Sequence, residues 1–319
     1  MERRPVALAA PLLALALLLA IGSAQDAAGE APAEPSRRII TIDGSGGTQR
    51  GNLRSGPIIY EHPDEHGIVA TVSTLTIRGN HAELSAPEGT SIGQGGQRTA
   101  AFQGGVLVER GRLTAVGPAL TYSEATGLGV LDGPAEVVVA PEEEGGEPVA
   151  ITAAAVEFDV DTDRSTSSGG VRLVNGNQTA EAATLVYEEE RTLGVFVSEG
   201  GQARMTRLDD DGSEMVITAD EIRVLTDERL LYARGNVTVV DGPITSTGAL
   251  VFFDDASGIA EIVGAEGAPA EAVDSESGAT LTTDRIMQDI EFDFFEAIDA
   301  SVPSQFDVGA FALAGETAP

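Results

Sequence analysis

One hairpin is written three times in this chain, and that constrains the fold more than any other feature. "GGVLVERGRLTAVGPALTYSEA" begins at Gly104, "GGVRLVNGNQTAEAATLVYEEE" at Gly169 and "RGNVTVVDGPITSTGALVFFDD" at Arg234. Gly105–Tyr122, Gly170–Tyr187 and Asn236–Phe253 align without a gap. The apolar positions coincide: Val106, Val171 and Val237; Val108, Leu173 and Val239; Leu120, Leu185 and Val251; Tyr122, Tyr187 and Phe253. So does the turn glycine, at Gly111, Gly176 and Gly242, and the match runs on through Leu131, Phe196 and Ile262. A unit of a few strands cannot bury its own apolar face, so a chain built from such units must stack them around one continuous core.

A finer echo lies inside the repeat. Thr followed by a small residue recurs at Thr114-Ala115, Thr152-Ala153, Thr179-Ala180, Thr218-Ala219, Thr245-Ser246 and Thr282-Thr283, with His81-Ala82-Glu83 as an earlier, degraded copy. The spacing alternates between short and long, so each long unit is expected to be two related half-units. Short alternating runs separated by Gly, Asp, Asn and Pro predict half-buried strands with frequent turns, and no convincing helical period follows the first two dozen residues. The expected class is all-β, with about two dozen strands at roughly 10 to 12 residues per strand and turn.

The core must be built of Val, Leu, Ile and Ala, because 319 residues include only 10 Phe, 4 Tyr and no Trp. The net charge is −32, and all 19 bases are Arg. Such a surface repels phosphate backbones, so nucleic acid is excluded as a partner class. There is no Cys, so neither disulfides nor a lipid-modified cysteine can contribute.

The expected domain organisation is in four parts. Residues 1–24 have Arg3 and Arg4 ahead of the apolar run Val6–Ile21 and small residues at Gly22-Ser23-Ala24, the pattern of a Sec-type secretory signal; an uncleaved anchor is the alternative. Residues 25–37 form an Ala, Glu and Pro linker, 38–300 the repeat-built β region with its period of about 65 residues, and 301–319 a C-terminal tail. With such an export signal the expected location is the periplasm.

Stacked copies line up Val on Val and Tyr on Tyr, giving an apolar strip. Two sheets that close fully make this strip a sandwich core; two that splay along one side make it a groove. Ala115, Ala180, Ala182, Ala183 and Ala249 supply little volume at such positions, which suits thin apolar cargo or follows from compositional bias towards Ala. Which strand face points inward is open at this stage, and the acids Glu188–Glu190 are expected on a solvated rim. A stack also ends in edge strands, which must be blunted or used. Ile39, Ile40 and Ile42 near the start, and Ile290, Phe292 and Phe294 near the end, suit strand addition to a neighbour.

"VITADEIRVLTDERLLYARGNVTVV" and "GNVTVVDGPITSTGALVFFDDASGIAEIVGAEGAPAEA", with the phrase G-N-V-x-V-x-x-G, T-A-D, Y and A-x-G recurring by half-units, resemble the OstA-like (LptA-type) domain of periplasmic lipopolysaccharide-transport bridge proteins. The resemblance covers about Arg38 to Phe295 and is sharpest from Gly104 to Ala272. It implies an elongated, repeat-built antiparallel β-jellyroll, open along one side, holding the acyl chains of lipopolysaccharide or a similar envelope glycolipid. It also implies inner- and outer-membrane transport proteins as partners through edge-strand pairing, and head-to-tail self-association. The repeated apolar residues would then line the groove: Val106, Val108, Leu120, Tyr122, Leu131, Val171, Leu173, Leu185, Tyr187, Phe196, Val237, Val239, Val251, Phe253 and Ile262. The chain departs from the family in its length and its charge; a net of −32 suits a less anionic cargo or contact through the tails alone.

No constellation supports catalysis or a cofactor. Asp159, Asp161 and Asp163 open like a calcium loop, but Arg164 and Gly170 stand where Gly and Glu are needed. Asp209–Asp211 suits a hairpin tip, Pro63 separates His62 from His66, and Ser45 lacks the strand-elbow-helix context of a nucleophile. The sequons at Asn177 and Asn236 are read as chance matches. The sequence thus points to a non-enzymatic lipid carrier, with a structural envelope or surface β-repeat protein without cargo as the alternative. A polysaccharide-acting enzyme, the third class, would need clustered carboxylates that the even scatter of acids does not provide.

Overall fold

The computed structural model describes residues 37–209, 212–290, 294–299, 301, 304 and 306–317, all within one unit of the chain. The expected signal, all but the last residue of the linker, and Phe292 lie outside the described residues.

Strand length alternates in blocks along the chain. Six short strands come first: β1 (Thr41–Asp43), β2 (Thr48–Gly51), β3 (Ile58–Glu61), β4 (Ile68–Val72), β5 (Leu75–Gly79) and β6 (His81–Ser85). Six long ones follow: β7 (Thr99–Arg110), β8 (Leu113–Ser123), β9 (Leu128–Val139), β10 (Val149–Asp159), β11 (Arg164–Asn175) and β12 (Gln178–Glu188). Then come the short β13 (Leu193–Val197), β14 (Ala203–Leu208), β15 (Glu214–Ala219) and β16 (Glu221–Leu225), and a second long pair, β17 (Leu230–Asp241) and β18 (Ile244–Asp254). The last five, β19 (Ile259–Val263), β20 (Ala270–Asp274), β21 (Thr280–Thr283), β22 (Arg285–Asp289) and β23 (Phe294–Ile298), are short. Among the described residues all pairings are antiparallel.

The long strands explain how one continuous sheet becomes two layers. The first half of β7 pairs with β6 and its second half with β5, and the ladder to β8 slips between Gln103 and Val106. The same break falls between Ser168 and Val171 in β11 and between Arg234 and Val237 in β17. At each break sits the repeat's glycine: Gly104-Gly105, Gly169-Gly170 and Gly235 all have positive φ, near +75 to +86°. Only glycine adopts that conformation without strain, so the chain bends there and passes from one layer to the other. The sequence marks these glycines as the start of a hairpin, whereas the strand begins five residues earlier, at Arg164 in the second copy.

Layer one therefore contains β1, β4, β5, the Gly111-side halves of β7 and β8 and their counterparts, then β14, β15, β20 and β21. Layer two contains β2, β3, β6, the opposite halves, then β13, β16, β19, β22 and β23. The bends join the layers along one margin; hairpin tips of both layers form the other.

A second, unexpected apolar surface lies on the outside of layer two. Leu193, Val195, Leu225, Tyr232 and Phe252 point away from the main core and pack with Phe306, Val308, Phe311 and Leu313 of the C-terminal segment. Tyr232 and Phe252 have ring centroids 5.0 Å apart, and Phe306 stacks on Phe252 at 5.1 Å. Arg223, buried, donates to the Phe311 carbonyl at 2.8 Å and to Glu316 at 2.6 and 2.8 Å. The stretch expected as a tail thus includes a strap across this face.

The Arg223 guanidinium holds the Glu316 carboxyl at about 2, against an ordinary value of 4.5. A depressed carboxylate supports docking fully above its free value and loses that support as pH falls towards the docked one. The strap is therefore expected to loosen between about pH 4.5 and 2, read as a change in the Phe311 ring resonances. Glu316→Gln should remove this step.

Candidate functional site

The fifteen repeated apolar positions form two facing walls, not one strip. Val106, Val108, Val171, Leu173, Val237 and Val239 belong to layer one; Leu120, Tyr122, Leu131, Leu185, Tyr187, Phe196, Val251, Phe253 and Ile262 belong to layer two. All are buried, at 0 to 3 % exposure, in a single core cluster. The Thr-small echo now has a physical meaning. Ala115, Ala153, Ala180, Ala219 and Ser246 are inward residues of layer one, while the large rings of Phe102, Tyr122, Phe158, Tyr187, Phe196 and Phe253 all stand on layer two. Small against large is how two facing sheets interdigitate at interior density. Of the other expected small positions, Ala182 is half-buried and Ala183 exposed.

The margin of hairpin tips is closed differently. Among the described residues no backbone ladder crosses it; side chains do. The Ile40 N–H donates to Glu124 Oε1 at 3.0 Å, Thr74 Oγ1 to Asp163 at 2.8 Å, and Asn175 Nδ2 to the Thr226 carbonyl at 3.2 Å. Glu189 accepts from the backbone N–H of Arg112 at 2.6 Å and from Arg110 Nε at 3.3 Å, and Arg112 reaches Asp227 at 3.0 Å. Arg207 donates to Asp255 at 2.5 Å, and Gln288 to Asp241 at 3.3 Å. Each tie joins a tip of layer one to a tip or end of layer two.

This seam follows the repeat. Glu124, Glu189 and Asp255 occupy the same position in the three copies and serve as its acceptors; Arg110, Asn175 and Asp241 share another, where each strand's inward alternation ends on a polar residue. The sequence carried this signal, but polar residues beside turns look like solvated tips. Glu188 and Glu189, expected on a wet rim, are instead enclosed: Glu188 is buried, bonded to Arg164 at 2.9 Å and to the Ala314 N–H at 2.8 Å.

Electrostatics agree with a closed seam. Burial alone would raise the Glu124 carboxyl, but hydrogen bonds from the Arg98 side chain and from the N–H groups of Ile40, Gly96 and Arg98 hold it below its ordinary value. Burial pushes the Tyr187 hydroxyl, which meets Thr226 Oγ1 at 3.2 Å, up to about 12. Tyr122, whose hydroxyl donates to the Arg38 carbonyl at 2.7 Å, is shifted upward for the same reason.

No family model and no curated protein matches the chain. Among solved structures it is similar to LptH, the LptA homologous periplasmic component of the conserved lipopolysaccharide transport device from Pseudomonas aeruginosa. That similarity has a TM-score of 0.35 and 15% identity, covering 38% of this chain and 85% of the other.

The edge residues divide. Among the described residues, β1 at the start pairs only with β4 and β2 only with β3, and at the end β21 pairs only with β20 and β23 only with β22. Ile39 and Ile42 are half-buried, whereas Ile40 is buried and both its backbone groups are taken, by Glu124 and by Arg98. Ile290 is buried and donates to the Gly258 carbonyl, while Phe294 is 62 % exposed on β23. Strand β2, the terminal strand of layer two, escaped sequence detection because Thr48–Gly51 has no apolar alternation. Among the described residues no helix is long and apolar enough to cross a membrane, and no cluster of three or more His, Asp or Glu could hold a metal ion.

Proposed function

We propose that the protein is a non-enzymatic periplasmic carrier that holds the acyl chains of lipopolysaccharide or a similar envelope glycolipid between its two layers. It bridges inner- and outer-membrane partners through its terminal strands. The observation that supports this reading most is the margin: a repeated apolar interior is shut along one side by side-chain ties while the backbone ladders stay within each layer. Parting the layers breaks hydrogen bonds and ion pairs worth about 0.5–1.5 kcal/mol each, and leaves every strand paired. An acyl chain entering the gap replaces one apolar contact by another, and its own transfer from water contributes about 0.8 kcal/mol per methylene. A dozen methylenes thus outweigh several ties. Identical rungs give similar affinity along the stack, so the chain can slide, with energy supplied by a transporter elsewhere.

The close packing of Tyr122, Tyr187 and Phe253 favours a second reading, a structural β-repeat protein with a permanently closed interior. Photo-crosslinking from position 171 or 196, followed by mass spectrometry of the adduct, separates the two. Recovery of an acylated lipid is expected; recovery of none from any interior position would overturn the carrier.

A further inference from the structure

A cavity of about 520 Å³ interrupts the seam under the hairpin tip Gly111-Arg112, walled by tips of both layers and by Ala314 of the strap. That volume falls in the ~300–1,000 Å³ range of small-molecule sites. Arg110, 4 % exposed, is the last inward-facing residue of β7 and lines this cavity. Its guanidinium lies 5.8 Å from the centroid of the Phe158 ring, which belongs to the apolar core. Nε donates to Glu189 and Nη1 to the Arg164 carbonyl, each at 3.3 Å, but Nη2 is buried with no acceptor among the described residues. Buried donors are almost always satisfied, so an orphan at the junction of a polar cavity and an apolar interior marks a place that a ligand oxygen completes.

The wall states what kind of oxygen. Five carboxylates, Glu142 and Glu190 among them, stand against three guanidiniums, those of Arg110, Arg112 and Arg191. A phosphate would meet net negative charge here, whereas hydroxyl groups both donate to carboxylates and accept from guanidiniums.

We propose that this cavity binds an uncharged sugar at the headgroup end of a glycolipid, one of its oxygens accepting from Arg110 Nη2 while the acyl chains pass between the layers. The inference rests on the carrier reading and narrows its cargo to lipids whose first sugar is free of phosphate.

Calorimetry on the full chain tests it with three probes: a glucosyl diacylglycerol, a phosphatidylglycerol with the same acyl chains, and methyl glucoside. The glucosyl lipid is expected to bind at least tenfold more tightly than phosphatidylglycerol. Arg110→Gln should lose at least tenfold in affinity for the glucosyl lipid and leave the weaker binding of phosphatidylglycerol unchanged. Should that variant not fold, Glu190→Arg, at an exposed rim position, is expected to shift preference towards phosphatidylglycerol. Equal or tighter binding of phosphatidylglycerol by the wild type overturns the sugar site and leaves the carrier standing. Methyl glucoside binding as tightly as the glycolipid overturns it too, because the site would then serve a free saccharide. Failure of both lipids to bind overturns the sugar site, while the carrier itself stands or falls by the crosslinking from positions 171 and 196.

Discussion

On the carrier reading proposed above, joining the two layers covalently at the seam is expected to abolish lipid loading between them. Asn175 and Thr226 face each other from opposite rows of tips, with the Asn175 amide 3.2 Å from the Thr226 carbonyl. The chain contains no cysteine, so Asn175→Cys with Thr226→Cys introduces a single possible disulfide. Reduced, the double variant loses one hydrogen bond and the Thr226 hydroxyl beside Tyr187, a cost of about 1–2 kcal/mol against an otherwise complete core. Oxidised, its margin can part at this rung, beside Phe196 and Tyr187, only by breaking a covalent bond, while every strand and interior rung stays in place. Crosslinking from position 196 should then yield lipid in the presence of reductant and none after oxidation. Equal loading in both states would mean that lipid enters from an end of the stack, and the margin would lose its assigned role.

How far the sequence foretold this arrangement depends on which face of a strand is asked about. The interior was legible because Val106, Val171 and Val237 obey one rule, alternation of period two kept through three copies, and burial is what enforces such a rule. The two-layer geometry was less legible: Gly169-Gly170 can punctuate a turn or bend a strand, and only the pairing of Arg164–Ser168 on the far side shows the second. The outer face of layer two was hidden for a related reason. At Thr121, Val186 and Phe252, or Ala119, Thr184 and Leu250, the outward positions drift from small or polar to apolar along the repeats. By the third copy both faces of the layer-two half of β18 are apolar, so alternation no longer identifies the inner one there, and the outer face is covered by the distant strap of Phe306 and Phe311. The seam was missed because its partners lie far apart in sequence. Nothing local distinguishes Glu124, 84 residues from Ile40, from any other acid in a turn.

Glu124 is also where a single substitution should do most damage. Its carboxylate is fully enclosed and accepts from the N–H groups of Ile40, Gly96 and Arg98 at 3.0, 2.7 and 3.1 Å, and from the Arg98 guanidinium at 2.5 Å. Arg98, itself 13 % exposed, then holds the Ile40 carbonyl at 2.9 Å. Glu124→Ala leaves a nearly buried cation and three N–H groups without their acceptor, a change that costs about 3–5 kcal/mol for a broken buried pair. The counterparts fare better: Asp255 is held by Arg207 and by Arg229, which is half exposed and can return to water. Glu124→Gln keeps one acceptor oxygen and should recover part of the loss; chemical denaturation of the variants measures both. Because the folded carboxyl lies below its ordinary value, this contribution is present at neutral pH and fades as pH falls through the acid range. The loss should concentrate where the first strand meets layer two, with hydrogen exchange rising at Ile40, Thr41 and Ile42 before it rises at Val171. A uniform rise instead would show that Glu124 supports the whole stack and not the closure of its first rung.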